Sequence, residues 1–334
     1  MQKQQKNRPT LQDIADKVGI TKMTVSRYLR DPNSVALKTR EKIMVVMEEV
    51  GYIANRAPAM LSKSSSKAIG ILIPSLSNQV FASFIQGIES VCRANGYETL
   101  IAHFGYDELE EEAKVASLLS YQVDGLILTE TKHTKRTLQM IKTAGVPVVE
   151  AMELPKQPID MVVGVDHEAA GYFATKALLE SGKSNIAYFG ARLDSRTQLR
   201  MSGYDRALIE QGMKSIHILT QAHSSFTLGG ELLDMALRQN PNIDGVLCTN
   251  DDIAIGTIMA AQKKGIQIPK QLGVVGYNAL NIGMALTPQL NSIEIPIEQI
   301  GETSARLLLQ ALRGEDIQQK VVDVGFSMRL GQSL

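Results

Sequence analysis

A chain of 334 residues, 44% hydrophobic and 21% charged, is too long for one ordinary domain and can bury more than one core, so two or three domains are expected. No apolar run nears the length that crosses a bilayer and no signal-like segment lies near the N-terminus, so a cytoplasmic protein without a membrane partner is expected. The formal charges cancel, yet residues 1–61 hold eleven basic against six acidic side chains, a net +5 that the remainder offsets, so a polyanion is expected to meet the N-terminal module alone. Cys92 and Cys248 sit in apolar contexts without the Cys/His spacing of a zinc site and read as buried thiols; neither metal nor cofactor is expected.

Thr10 and Asp13 have the spacing of a capping box opening a helix to about Val18, with Leu11, Ile14, Ala15 and Val18 on its apolar face. Gly19 stops that helix, Thr21 can cap a second over about 22–30, and a third apolar period runs through Leu37, Ile43, Val46, Met47 and Val50. On the second helix Lys22, Met23, Ser26, Arg27 and Arg30 share one face, while Val25 and Leu29 lie on another that can pack against the first helix. That is the layout of a recognition helix in the major groove, with base edges read by its N-terminal residues and phosphates held by hydroxyls and cations. Arg27 carries the fork that grips guanine, Lys22 can reach base or phosphate acceptors, and Met23 can lie against a thymine methyl. Thr10, Thr21, Thr24 and Ser26 suit phosphate contacts or helix caps. The competing reading is an amphipathic hairpin with a solvated face. NRAPAML, 55–61, is too short to hold a helix alone in water, and SKSSSK, 62–67, has the composition of a flexible joint.

Beyond residue 67 short apolar strands alternate with helix-length segments. Strands are expected at 69–73, 98–102, 125–129, 147–150 and 161–165, then at 185–189, 215–219, 245–249 and 273–276. Two such series imply two parallel-sheet subdomains that bind ligand beyond the carboxyl ends of their strands. Asn78 can cap a helix just after the first strand, which makes Ser75, Asn78 and Phe81 cleft candidates, although Phe81 also fits the core period of that helix. Thr129 and Glu130, at the end of the third strand, complete the cleft candidates of the first series. The second series offers Asp194, Arg196 and Arg200, then Asn250, then Asn278. Asp251 reads as a helix cap, and the acidic run 108–112, with Lys132, His133 and Arg136, as solvated surface. No strand leads into a phosphate-binding GxxxxGK[ST] or GxGxxG, so an enzyme is not expected; a free solute-binding protein would not carry a DNA-reading module.

The run LQDIADKVGITKMTVSRYL, then KTREKI, GYIANRA and Leu61, then DGLIL, TNDDIAIG and VVGYN, resembles the lactose-repressor family of bacterial transcription regulators over essentially the whole chain. Within that family TKMTVSR, NRAP, IPSLSNQVFA, GIESV, DGLILTE with HTKRT, GARLD and CTNDD are most similar to the gluconate and idonate repressors. The resemblance implies an N-terminal all-α helix-turn-helix headpiece in 1–61, with a hinge helix at about 55–61, and an α/β bilobed periplasmic-binding-protein-like core in 62–334 built from two doubly wound parallel-sheet subdomains. The N-subdomain would take about 67–164 plus 296–322, and the C-subdomain about 165–295 plus 323–334. It implies a homodimer on a palindromic operator, with Leu61 wedged into the minor groove, Asn55 and Arg56 on backbone or groove edges, and Pro58 in the first turn of the hinge helix.

In the core, Arg200 matches the arginine that family members aim at the effector, and Asn250 matches another contact position. Asn278 replaces an acidic residue common in the family, and an amide suits an anionic effector such as gluconate or its phosphate. Ala54 and Ala36 depart from the proline and the serine cap of many relatives; Ser34 or Asn33 could substitute for the cap. The function expected is repression of sugar-acid catabolism genes, relieved by effector. The alternative is an activator or corepressor-dependent regulator of the same family that answers to another sugar or metabolite. Without leucine heptads after the last strand-like segment, a dimer is favoured over a coiled-coil tetramer.

Overall fold

The computed structural model describes residues 8–53 and 65–334, which divide into two compact units on either side of the Ser66–Lys67 bond. The expected hinge helix, with Ala54, Asn55, Arg56, Pro58 and Leu61, lies outside the described residues.

The first unit holds α1 (Leu11–Val18), α2 (Lys22–Arg30) and α3 (Leu37–Glu49). Helices this short are marginal alone, so their ends and shared core must hold them. The capping box forms at α1: Asp13 N–H donates to Thr10 Oγ1 (3.3 Å) and Thr10 N–H to Asp13 Oδ2 (2.7 Å). Gly19, at φ 74°, closes the helix in the left-handed conformation. Thr21 Oγ1 then accepts the Thr24 N–H (3.3 Å) to open α2. Ile14, Ala15, Val25 and Ile43 are fully buried where the three helices meet. The expected substitute cap for α3 does not form. Its N-cap, Ala36, has no side-chain bond; Asn33 Oδ1 instead accepts from Arg40 (3.0 Å), and Ser34 Oγ donates to the Asp31 carbonyl (2.6 Å).

The second unit contains two six-stranded sheets. One is built from β1 (Ala68–Ile73), β2 (Glu98–His103), β3 (Gly125–Leu128), β4 (Val148–Glu153), β5 (Met161–Val165) and β11 (Val321–Asp323), in the order β11-β5-β4-β3-β1-β2 and all parallel. The other is built from β6 (Ile186–Ala191), β7 (Ile216–Thr220), β8 (Gly245–Cys248), β9 (Gly273–Tyr277), β10 (Asn291–Glu294) and β12 (Ser327–Arg329), in the order β12-β10-β9-β8-β6-β7 with only β12 antiparallel. The central strands are buried on both faces, which is why they read as unbroken apolar runs rather than alternations. β10 lacks that signal: NSIE is mostly polar, and its buried groups bond internally, Asn291 N–H to Ser333 Oγ and Ser292 Oγ to Asp251. The chain passes from one sheet's lobe to the other three times, after β5, β10 and β11.

Helices pack on both sheets, and the closest crossings are made at glycines. α4 (Val80–Ala94) meets α12 (Ile297–Leu312), and α7 (His167–Glu180) meets α8 (Ser195–Ile209). A Cβ on Gly203 of α8 would sit 2.0 Å from the Glu168 carbonyl oxygen, and one on Gly171 of α7 would sit 2.2 Å from that of Arg200. Gly203→Ala is therefore expected to lower stability by about 1–3 kcal/mol in urea unfolding, since backbone must move to admit the methyl; an unchanged midpoint would contradict this crossing.

The run 108–112, on α5 (Glu108–Ser120), is not solvated throughout, because Glu111 is 1% exposed and faces inward. His133, expected on a surface loop, is buried against it: His133 Nδ1 lies 2.7 Å from Glu111 Oε2, and Nε2 lies 3.7 Å from Glu150 Oε1 of β4. Arg136, at the start of α6 (Lys135–Ala144), pairs with Glu112 at 3.2 Å. Cys92 and Cys248 are free and buried. Among the described residues no helix is long and apolar enough to cross a membrane.

Candidate nucleic-acid face and ligand cleft

On α2 the structure exposes Lys22, Met23, Arg27 and Arg30, half-buries Ser26, and turns Val25 fully into the core. Met23 is 71% exposed, which is unusual for an apolar side chain on so short a helix and fits a contact surface. The hydroxyls of Thr10 and Thr21 occupy helix caps, and Thr24 Oγ1 lies 3.0 Å from Thr21 Oγ1. The Thr10 hydroxyl also donates to Asp13 Oδ2 (2.8 Å), whereas the Thr21–Thr24 pair shares one hydroxyl hydrogen and leaves the other to donate.

In the second unit a small, partly open cavity lies between the lobes at the carboxyl ends of the strands. Of the expected cleft residues it brings together Asn78, Phe81, Arg196, Arg200, Asn250 and Asn278. Ser75, Thr129 and Glu130 stand behind its wall. Ser75 Oγ accepts the Asn78 N–H (3.1 Å), Thr129 Oγ1 donates to the Leu72 carbonyl (2.9 Å), and Glu130 pairs with Arg196. Tyr106, Met152, His167 and Arg192 also line the cavity and were not anticipated, although each follows or ends a strand. Tyr106, Met152, Arg192 and Asn278 hold positive φ of 65°, 84°, 64° and 99°, so backbone strain gathers at the cleft.

Three arginines from one segment reach the cavity and are held differently. Arg192 stacks on the Tyr106 ring at 3.9 Å. Arg196 donates from Nη1 to the Thr129 carbonyl (2.8 Å) and from Nη2 to Glu130 (2.6 Å). Burial pushes the Glu130 carboxyl up while the Arg196 guanidinium pulls it back. Arg200 is 8% exposed and has no carboxylate at ion-pair distance among the described residues. It donates to Thr249 (3.2 Å) and Thr197 (3.4 Å), lies 4.4 Å from the centre of the Tyr277 ring, and its buried Nε has no partner.

His167 opens α7 and bridges the lobes. Its Nε2–H donates to the Met152 carbonyl (3.0 Å), so Nδ1 accepts from the Tyr277 hydroxyl (2.6 Å). Burial, with Arg200 and Arg196 nearby, holds it well below the usual histidine range and therefore neutral. Asp194 caps α8 through the Thr197 N–H (2.8 Å). Asn250 caps α10 (Asp251–Lys263) with Oδ1 and donates to Ser224 (2.7 Å). Asp251 is not the cap; it is fully buried, accepts from Ser292 and the Leu280 N–H, and burial pushes it up to about 7.

A helix-turn-helix unit followed in one chain by a bilobed core with a polar, cation-lined cleft defines a DNA-binding regulator under small-molecule control. The comparisons agree. Residues 10–55 match the model for bacterial regulatory proteins of the lacI family, and residues 66–327 match that for periplasmic binding proteins and the sugar-binding domain of the LacI family. The chain is 45% identical to the HTH-type transcriptional regulator GntR of Escherichia coli (strain K12) over 98% of this chain and 99% of the relative. It is 42% identical to the regulator IdnR of the same organism over 98% and 99%. The crystal structure of a LacI-family transcriptional regulator from Silicibacter pomeroyi superposes with a TM-score of 0.92 at 28% identity, covering 97% of this chain and 99% of that one. The chain belongs to the LacI family of bacterial transcription regulators. It is a DNA-binding regulator and not an enzyme.

Proposed function

We propose that this protein is a cytoplasmic repressor of sugar-acid catabolism genes that sits on a palindromic operator as a homodimer and is released when a sugar acid, gluconate or its phosphate, enters the cleft. The observation that carries the ligand class is Arg200, a buried cation facing the cavity with no carboxylate at ion-pair distance among the described residues. A buried charge held only by hydroxyls and a ring face gains most from an anionic ligand. Asn250 and Asn278 add amides for sugar hydroxyls, and Asn278 does so without a fixed negative charge. On the DNA, Lys22, Met23, Arg27 and Arg30 face the major groove, Thr10, Thr21, Thr24 and Ser26 meet phosphates, and Asn55, Arg56 and Leu61 act at the operator centre. Effector shifts the population between two arrangements of the lobes, and DNA must weaken effector binding by the same factor as effector weakens DNA binding.

Calorimetric titration with gluconate, 6-phosphogluconate and glucose tests the ligand class: heat with an acid and none with the neutral sugar supports it, and the reverse refutes it. Arg27→Ala is expected to relax base preference at one position per half-site at a cost of about 1–3 kcal/mol per contact. Equal weakening on all sequences, measured on a set of single-base operator variants, would remove Arg27 from the reading set.

A further inference from the structure

Arg196 stands in the cleft wall between Arg192 and Arg200, yet both of its terminal nitrogens are committed to the opposite lobe, on the Thr129 carbonyl and on Glu130. Beside it, Ser195 Oγ donates to Glu153 Oε1 (2.9 Å), the same oxygen that accepts from Thr131 Oγ1 (3.0 Å). The first turn of α8 in one lobe is thus tied to the end of β4 and to the loop 129–134 in the other.

That loop is braced at both ends. Thr129 bonds to the Leu72 carbonyl of β1, while at the far end His133 bonds to Glu111 and Thr134 Oγ1 to Glu112 (2.6 Å). The side chains of Arg196 and Glu130 are only 10% and 17% exposed, so their contact is shielded from water and salt in a way that a surface ion pair is not.

We propose that Arg196 and Glu130 form an interlobe clasp, so that Arg196 is a positioning residue that holds the cleft closed and does not contact the ligand, whose anionic group is left to Arg200. The clasp rests on the reading of this cleft as the effector site. Its logic is one of populations: a ligand that needs both lobes binds with an apparent affinity scaled by the fraction of molecules that are closed. Arginine suits the task because its planar fork meets a carbonyl and a carboxylate together, which a lysine cannot do with the same geometry.

A double-mutant cycle on effector affinity, measured by calorimetry on full-length protein, separates a clasp from a ligand contact. Arg196→Met and Glu130→Ala are each expected to weaken effector binding roughly tenfold or more, and the double variant no further than the worse single, because both remove one interaction. Ser195→Ala, which leaves the charges in place, is expected to weaken it less. If Arg196 instead grips the ligand, Glu130→Ala leaves affinity unchanged or improves it, and Arg196→Met costs the same in either background; that result overturns the proposal. Amide hydrogen exchange on ligand-free protein keeps the two levels apart. A wild type that binds no sugar acid refutes the effector reading. The clasp then still stands if Arg196→Met speeds exchange across the cleft at 129–134 and Glu130→Ala at 195–200, and it falls if neither does.

Discussion

Arg200→Ala is expected to leave operator binding at the wild-type level and to abolish the response to effector. The guanidinium is buried, and its hydrogen bonds and ring contact come from within its own lobe: two threonine hydroxyls and the Tyr277 ring. Among the described residues, removing it takes away the one arginine of the cleft wall that has neither a carboxylate at ion-pair distance nor a contact to the opposite lobe. Loss of a charged partner from a desolvated pair costs on the order of 2–5 kcal/mol, so effector affinity should fall by at least about 30-fold. The fold should survive, because what α7 needs from position 200 is the backbone carbonyl that Gly171 packs against, and alanine keeps it. Arg200→Lys should recover part of the loss, since it restores the charge without the bidentate fork. Calorimetry for effector and anisotropy for operator read the two effects separately; a normal effector response in Arg200→Ala would place the ligand's anion elsewhere.

His133→Ala is expected to be the most destabilising of the substitutions considered, by roughly 3–5 kcal/mol at pH 7, because it leaves Glu111 and Glu150 buried without their cation. Burial alone would depress the imidazole, but its hydrogen bond to Glu111 and the charges of Glu111 and Glu150 outweigh burial and raise it to about 9. The folded protein therefore holds this proton more tightly than the unfolded chain, whose histidine titrates near 6.5. The stabilisation is full below pH 6.5, declines above it, and is lost as the pH rises through about 9; over that window the linkage amounts to about 3 kcal/mol. Urea unfolding across pH 6 to 10 should show wild type losing stability on the alkaline side and His133→Ala showing a flatter profile. Parallel profiles for the two proteins would mean that the imidazole carries no charge in the folded state.

How much of this was legible in the sequence follows from the range over which each signal acts. The caps at Thr10, Thr21 and Gly19 and the helices they bound are settled within a few residues, so α1 and α2 could be placed closely from residue types alone. Parallel core strands were legible as apolar runs, whereas β10 escaped because its polar residues are satisfied by Ser333 and Asp251, far away in sequence. Asn78 was found because it is polar and follows a strand end, and Arg200 and Asn250 because the family resemblance marks their positions. Tyr106, Met152 and His167 occupy equivalent places but look like core residues until the lobes are brought together. The charge run 108–112 and His133 read as surface because nothing in the sequence says that Glu111 and His133, separated by 22 residues, face each other in the interior. Arg196 shows the same limit: its partner Glu130 lies in the other lobe, and only the folded chain reveals that its fork is already engaged.

The measurement that bears most directly on the account is fluorescence anisotropy of the purified protein on a palindromic duplex recovered by selection from random sequence, at fixed salt, titrated with gluconate, idonate and 6-phosphogluconate. Tight, salt-dependent binding that one of these acids releases is expected, with the release absent in Arg200→Ala. Operator binding that none of them alters would contradict the sugar-acid assignment, and binding that tightens would make the ligand a corepressor.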